Sequence, residues 1–181
     1  MSFGKSMTWS FGGRWGDRTF RHDIESCGGA ELEKVKYFGY GSNLSSEELR
    51  AWCPSARALD TAKARDYKLA FTRFSPKWGG GVADIIPEKD SYVWGVLYEI
   101  DEDDIEKLDR KESVDRGGYQ RHTIKVETRS GQIEEALTYV VVGKAEFERP
   151  TIGYLNTLLK GAEEFGLPKD YTEALRQTET R

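Results

Sequence analysis

Tyr37-Phe38-Gly39-Tyr40-Gly41-Ser42-Asn43-Leu44 passes from an apolar, aromatic run into two glycines and two small polar residues. The run reads as a strand ending in a loop. Phe38 and Tyr40 are spaced to point the same way from a strand, and Gly39 and Gly41 leave room for a close backbone approach at its end. Such a loop can present amide N–H groups to a ligand, although many glycine turns after strands only reverse the chain. Immediately downstream, Ser45-Ser46-Glu47-Glu48 has the form of a capping box, with Leu44 and Leu49 as its hydrophobic staple. Leu49, Trp52 and Cys53 make one apolar face before Pro54 ends the helix. The loop therefore opens on a predicted helix N-terminus, where free amides and the positive end of the dipole suit a carboxylate or a developing oxyanion.

Five further runs, 67–74, 82–86, 92–100, 119–128 and 133–142, are rich in β-branched and aromatic residues with turn residues between them. With the opening strand they predict about six strands. Gly79-Gly80-Gly81 is a permissive connection, readable as a lid or as a loose hairpin. Ile152, Leu155, Leu158, Leu159, Ala162 and Phe165 follow helical spacing, with Gly166 and Pro168 as stop signals. Residues 34–181 read as a single domain. Residues 1–33 read as an N-terminal extension in which glycines alternate with Trp9, Phe11, Trp15 and Phe20. A flexible leader and a segment that folds back on the domain or on a neighbouring subunit both fit this composition.

The chain has 181 residues, 38% hydrophobic and 12% aromatic, enough for one well-cored domain. Its net charge of −4, with both signs interspersed, gives no electrostatic case for nucleic acid or an anionic membrane. No apolar run approaches the roughly 20 residues of a membrane helix, and the start lacks a signal-peptide core. A cytoplasmic protein with a small-molecule partner is expected. Cys27 and Cys53 stand in different settings and predict free thiols, and His22 and His122 are equally solitary, so no metal site is expected.

One carboxylate falls out of pattern. The charged segment 101–113 carries Ile105 and Leu108 on its inner face, and four residues further along that stripe comes Glu112. An acid there is either functional or reaches solvent from the helix end. The segment that follows, Asp115-Arg116-Gly117-Gly118-Tyr119, turns back into a strand and can bring the Tyr119 hydroxyl towards that carboxylate.

Phe38-Gly39-Tyr40-Gly41-Ser42-Asn43-Leu44, Val93-Trp94-Gly95-Val96, Leu108-Asp109 followed by Glu112, Tyr119 seven residues later, and Gly161 to Pro168 with Tyr171 together resemble the γ-glutamyl cyclotransferase family from about residue 35 to the end. The resemblance implies an α+β fold with a mixed, partly closed, barrel-like sheet flanked by helices, no cofactor and no metal. It implies that Tyr40, Gly41, Ser42, Asn43 and Leu44 cradle a γ-glutamyl group, that Glu112 is the general acid/base and that Tyr119 contacts the ligand nearby. A homodimer is left open. The implied reaction is attack of the substrate's α-amine on its own γ-carbonyl, giving 5-oxoproline and a free amine or amino acid, with no enzyme nucleophile. Proton transfer from an α-ammonium to an ordinary glutamate is uphill by about 5 kcal/mol, so the apolar stripe bearing Glu112 predicts a desolvated carboxylate. Ser113 stands where the family often has glycine, and it is expected to alter the turn after the acid. Two other readings stay open, a non-catalytic module that binds γ-glutamyl groups or 5-oxoproline and a biosynthetic cyclotransferase that removes a γ-glutamyl protecting group.

Overall fold

A computed structural model of the chain describes residues 33–181. The N-terminal extension expected over 1–33, with Cys27 and His22, lies outside the described residues but for its last position. Five strands, β1 (Lys34–Gly39), β2 (Arg57–Ser75), β3 (Gly80–Asp101), β4 (Tyr119–Thr128) and β5 (Ile133–Val141), close a barrel in the order β1-β3-β2-β4-β5. Neighbours run antiparallel except β1 and β5, whose parallel pairing at Tyr37 and Leu137 completes the closure. The sheet is mixed, as expected, and it closes.

There are five strands where about six were expected, because the runs 82–86 and 92–100 belong to the single strand β3. Pro87 to Ser91 reads in sequence as a break. In the barrel it is an outward bulge, with Tyr67 opposite Pro87 and Arg65 opposite Tyr92. Asp66 and Asp90 take positive φ there, and the Asp90 amide donates to Asp66 Oδ1 at 3.0 Å. A bulge frees Pro87 from a ladder bond it cannot make.

Strand alternation divides β1 between two cores. Phe38 packs inside the barrel with Ala62, Ile85, Val93 and Val126, while Tyr37 joins Leu49, Tyr98, Ile100 and Leu108 under the helices. Gly95 allows the crossing, since a Cβ there would lie 2.5 Å from the Gly39 carbonyl and 2.6 Å from the Phe38 ring.

Of the helices, α1 (Ser46–Arg50) is one turn long and begins where the capping box predicted. The box itself does not form. Ser45 makes no cap bond, and the Ser46 amide donates instead at 3.2 Å to Glu164, which the Ser46 hydroxyl also contacts. A carboxylate brought from another helix has replaced the local one. Glu164 ends α3 (Ile152–Glu164), whose own N-cap is Thr151, accepting from the Tyr154 amide at 3.2 Å. Gly161 lets α3 rest directly on the loop, because a Cβ there would meet Leu44 and Ser45 backbone atoms at 2.7 Å. The last helices are α2 (Glu102–Lys111), which follows β3 directly, and α4 (Lys169–Arg176). No helix among the described residues is long and apolar enough to cross a membrane.

Candidate active site

Where β1 ends, Ser42–Leu44 forms a single 3-10 turn before α1. The turn takes the Leu44 and Ser45 amides for itself, donating to the Gly41 and Ser42 carbonyls at 2.9 and 3.2 Å. Its leading amides have no partner within the turn. α1 is too short to supply the helix dipole that the sequence predicted, so any anion binding here depends on these individual N–H groups.

Glu112 is the C-cap residue of α2, one residue past the last helical position. Its side chain continues the stripe of Ile105 and Leu108, both buried, and is 13% exposed. The chain then turns through Ser113, whose φ is +55°, a left-handed conformation that favours glycine. The serine keeps this turn despite its Cβ, and the Gly118 amide donates to the Ser113 carbonyl at 2.9 Å. The Tyr119 amide donates to the Glu112 carbonyl at 3.2 Å, which fixes the acid's main chain to the start of β4.

The turn and the acid meet through three side chains. Asn43 Nδ2 donates to Glu112 Oε1 at 3.1 Å and to the Tyr37 hydroxyl at 2.6 Å. Lys111 Nζ reaches Asn43 Oδ1 at 2.5 Å, Glu112 Oε1 at 3.1 Å and Ser42 Oγ at 3.2 Å. The isolated, desolvated carboxylate expected from the sequence is therefore an ion-paired one, its burial offset by an ammonium that is itself only 9% exposed.

These groups face a small cavity of about 30 Å³ lined by Tyr37, Tyr40, Gly41, Ser42, Asn43, Ala83, Glu112, Tyr119, Tyr139 and Tyr154. The five tyrosines are its walls, and several of their hydroxyls are committed to the backbone. Tyr40 donates to the Tyr139 carbonyl at 2.6 Å and Tyr119 to the Ala83 carbonyl at 2.8 Å, while Tyr154 accepts from the Ala83 amide at 2.9 Å. Burial pushes the phenols of Tyr37, Tyr40, Tyr119, Tyr139 and Tyr154 well above their ordinary range, so they line the cavity as neutral donors and acceptors. Gly41 is tight against this wall, 3.1 Å from Ala83 Cβ and 3.4 Å from the Tyr154 hydroxyl measured from an added Cβ.

Of the residues expected at the site, Tyr40, Gly41, Ser42, Asn43, Glu112 and Tyr119 all line this cavity. Leu44 does not. It is buried in the core beneath the helices, where its carbonyl accepts from the Tyr98 hydroxyl at 3.1 Å, because the 3-10 turn rotates it away from the loop's open face. The Tyr119 hydroxyl engages Ala83 and makes no hydrogen bond to Glu112. Lys111, Tyr37, Tyr139 and Tyr154 were not anticipated.

The cavity opens through Ser42, Glu112, Tyr119 and Tyr154 into an outer groove of about 450 Å³. The hairpin around Gly79 forms one side of that groove. It is not a loose connection: the Gly81 amide donates to the Arg149 carbonyl at 2.9 Å, and Trp78 packs on Tyr154 at 5.0 Å between ring centres.

The sequence model of the AIG2-like family matches residues 92–175. The γ-glutamylcyclotransferase of Mus musculus is 37% identical over 161 residues, covering 87% of this chain and 85% of its own length. That of Homo sapiens is 34% identical over 155 residues, covering 83% and 82%. A solved γ-glutamyl cyclotransferase structure superposes with a TM-score of 0.80 at 33% identity, over 82% of this chain and 90% of that one.

Proposed function

The chain belongs to the γ-glutamylcyclotransferase family and is an enzyme of this kind acting on a small molecule, and from that premise we propose that it releases 5-oxoproline from γ-glutamyl substrates with Glu112 as the general acid/base. The observation that carries the assignment of Glu112 is its carboxylate, held by Asn43 and Lys111 against the glycine turn in a tyrosine-walled cavity. Among the described residues no other carboxylate lines that cavity.

In this reading the γ-glutamyl group enters with its α-ammonium towards Glu112 and its γ-carbonyl towards the leading amides of the turn. Glu112 takes one proton from the ammonium. The freed amine attacks the γ-carbon, a C–N bond forms, and negative charge moves to the carbonyl oxygen. The amide bond to the leaving nitrogen then breaks as that nitrogen receives a proton from the Glu112 carboxyl, and the regenerated carboxylate takes the second proton from the ring nitrogen, which becomes the lactam N–H. The Asn43 amide is the candidate for holding the oxyanion, since the Leu44 amide is already used and the Ser42 amide faces the Tyr154 hydroxyl.

The Lys111 ammonium bears on the first step through its effect on the substrate's own charge. A substrate ammonium bound to Glu112 lies beside a second ammonium, and a like charge at that range favours the neutral amine. The closed tyrosine walls fold a flexible chain into a ring-closing pose, an ordering effect able to contribute several kcal/mol.

Incubation with a γ-glutamyl dipeptide is expected to yield 5-oxoproline, and Glu112→Gln is expected to lower kcat by about 10²- to 10⁴-fold. Undiminished turnover by the folded variant overturns the assignment of the glutamate. Absence of 5-oxoproline from the unaltered protein overturns the reaction.

A further inference from the structure

The outer groove carries chemistry that the γ-glutamyl cradle does not use. Among the described residues its lining includes Arg73, Lys77, Arg110, Lys111 and Arg116, but one carboxylate only, Glu112. This concentration of positive charge stands on a chain whose net charge is −4. Lys111 is consumed by Glu112 and Asn43, and Arg116 faces Asp115 at 3.8 Å in a largely exposed pair. Arg73, Lys77 and Arg110 make no ion pair among the described residues. Arg73 lies over the Tyr119 ring at 5.9 Å, with a weak 3.4 Å bond to the Gly117 carbonyl, and Lys77 lies over Trp78 at 5.0 Å. Trp52, 39% exposed, and Trp78 add flat apolar surface to the same groove.

The direction of the reaction determines what occupies this space. With the γ-glutamyl end in the inner cavity, the scissile bond lies near Glu112, and the leaving amine leaves past the shared residues Ser42, Glu112, Tyr119 and Tyr154 into the groove. One carboxylate on that amine engages one guanidinium, or two at most. Three cations without an ion-pair partner among the described residues exceed that need. Resting on the cyclotransferase reading above, we propose that the groove is a leaving-group subsite for an acidic amino acid carrying two carboxylates, with Arg73 and Arg110 as its specificity-determining contacts and Lys77 at its rim.

The test compares 5-oxoproline release from γ-glutamyl-glutamate, γ-glutamyl-alanine and γ-glutamyl-ethylamine at low and high salt. The expected order of kcat/KM is acidic, then alanine, then ethylamine. Each added carboxylate is expected to gain several-fold to about tenfold at low salt, and the gaps are expected to narrow at high salt. Arg73→Gln with Arg110→Gln is expected to lower the ratio of acidic to ethylamine conjugate by about tenfold or more. Lys77→Gln, at the solvent-facing hairpin, is expected to lower it less and serves as the second variant should the double substitution fail to fold. Equal efficiency across the three conjugates at low salt overturns the subsite while leaving the reaction intact, as does a preference that the folded variants retain. No 5-oxoproline from any conjugate overturns the reaction itself, and the subsite falls with it.

Discussion

Asn43→Ala is expected to cost both stability and turnover, because Asn43 joins the glycine turn, the second core and Glu112 through one amide. Its side chain donates to the Tyr37 hydroxyl and to Glu112, and it accepts from Lys111. All of this happens where Asn43 and Tyr37 are buried. A neutral buried hydrogen bond contributes about 1 kcal/mol, and one to a charged group about 1.5 to 3 kcal/mol. The lower figure applies to the two charged bonds, since Lys111 and Glu112 still hold each other when Asn43 is gone. The expected loss is then about 4 kcal/mol, a fall in Tm of roughly 8 to 16 °C at about 2 to 4 °C per kcal/mol. The carboxylate also loses the donor that fixes its position, and a misplacement of about 1 Å can cost on the order of 10²-fold in rate. Thermal unfolding followed by circular dichroism measures the first effect. Release of 5-oxoproline, assayed well below the variant's Tm, measures the second. Combining the change with Tyr37→Phe adds a check, since the two share a bond and are expected to be non-additive by about 1 kcal/mol. A variant with a Tm within 2 °C and a rate within about twofold of the parent, below any loss estimated above, refutes the reasoning.

Ser113→Gly is expected to stabilise by about 0.5 to 1 kcal/mol, since a serine at φ +55° carries strain that glycine escapes, less the entropy glycine adds to the unfolded chain; a lowered Tm in thermal melts argues against a strained turn. Alkali is expected to unfold the domain steeply. Burial raises the phenols of Tyr37, Tyr40, Tyr98, Tyr119, Tyr139, Tyr154 and Tyr171 in the folded state, so above about pH 10 the unfolded chain loses protons that the fold retains. Stability is intact below that pH and falls above it by up to about 1.4 kcal/mol per phenol per unit. Against a typical stability of about 5 to 15 kcal/mol, seven such groups leave little margin beyond one to two pH units. Tyrosinate absorbance should rise together with loss of circular dichroism; gradual ionisation within an intact fold refutes it.

Glu112 was legible in the sequence because helix periodicity carries the Ile105 and Leu108 stripe to an acid, and a helix end still obeys that period one residue beyond its last turn. The loop from Tyr40 to Asn43 was legible because its residue types suit few other conformations. Lys111 was not. On an ideal helix it lies about 100° from Glu112 and falls with the solvated charges, but α2 stops there, and the freed end lets both side chains turn to Asn43. The tyrosine walls come from barrel closure. Tyr139 and Tyr154 reach the cavity from β5 and α3, and no local pattern marks which of the nine tyrosines face inward. The bulge at Pro87 hid the continuity of β3 for a related reason, since a proline ends a local pattern but not a ladder whose partner strand can shift to meet it.

The Lys111 pair alters how specificity and chemistry divide in this site. An unpaired glutamate in an apolar pocket would attract any cation, including the free amine that the reaction releases. Here Lys111 already occupies one side of the carboxylate, so a second cation binds well only if other contacts place it there. In the proposed reaction the γ-glutamyl group brings those contacts with it, through its α-carboxylate and γ-carbonyl towards the turn amides, whereas the released amine has no γ-carbonyl. In the proposed reaction the same charge that favours the neutral α-amine before ring closure disfavours retention of a protonated product afterwards.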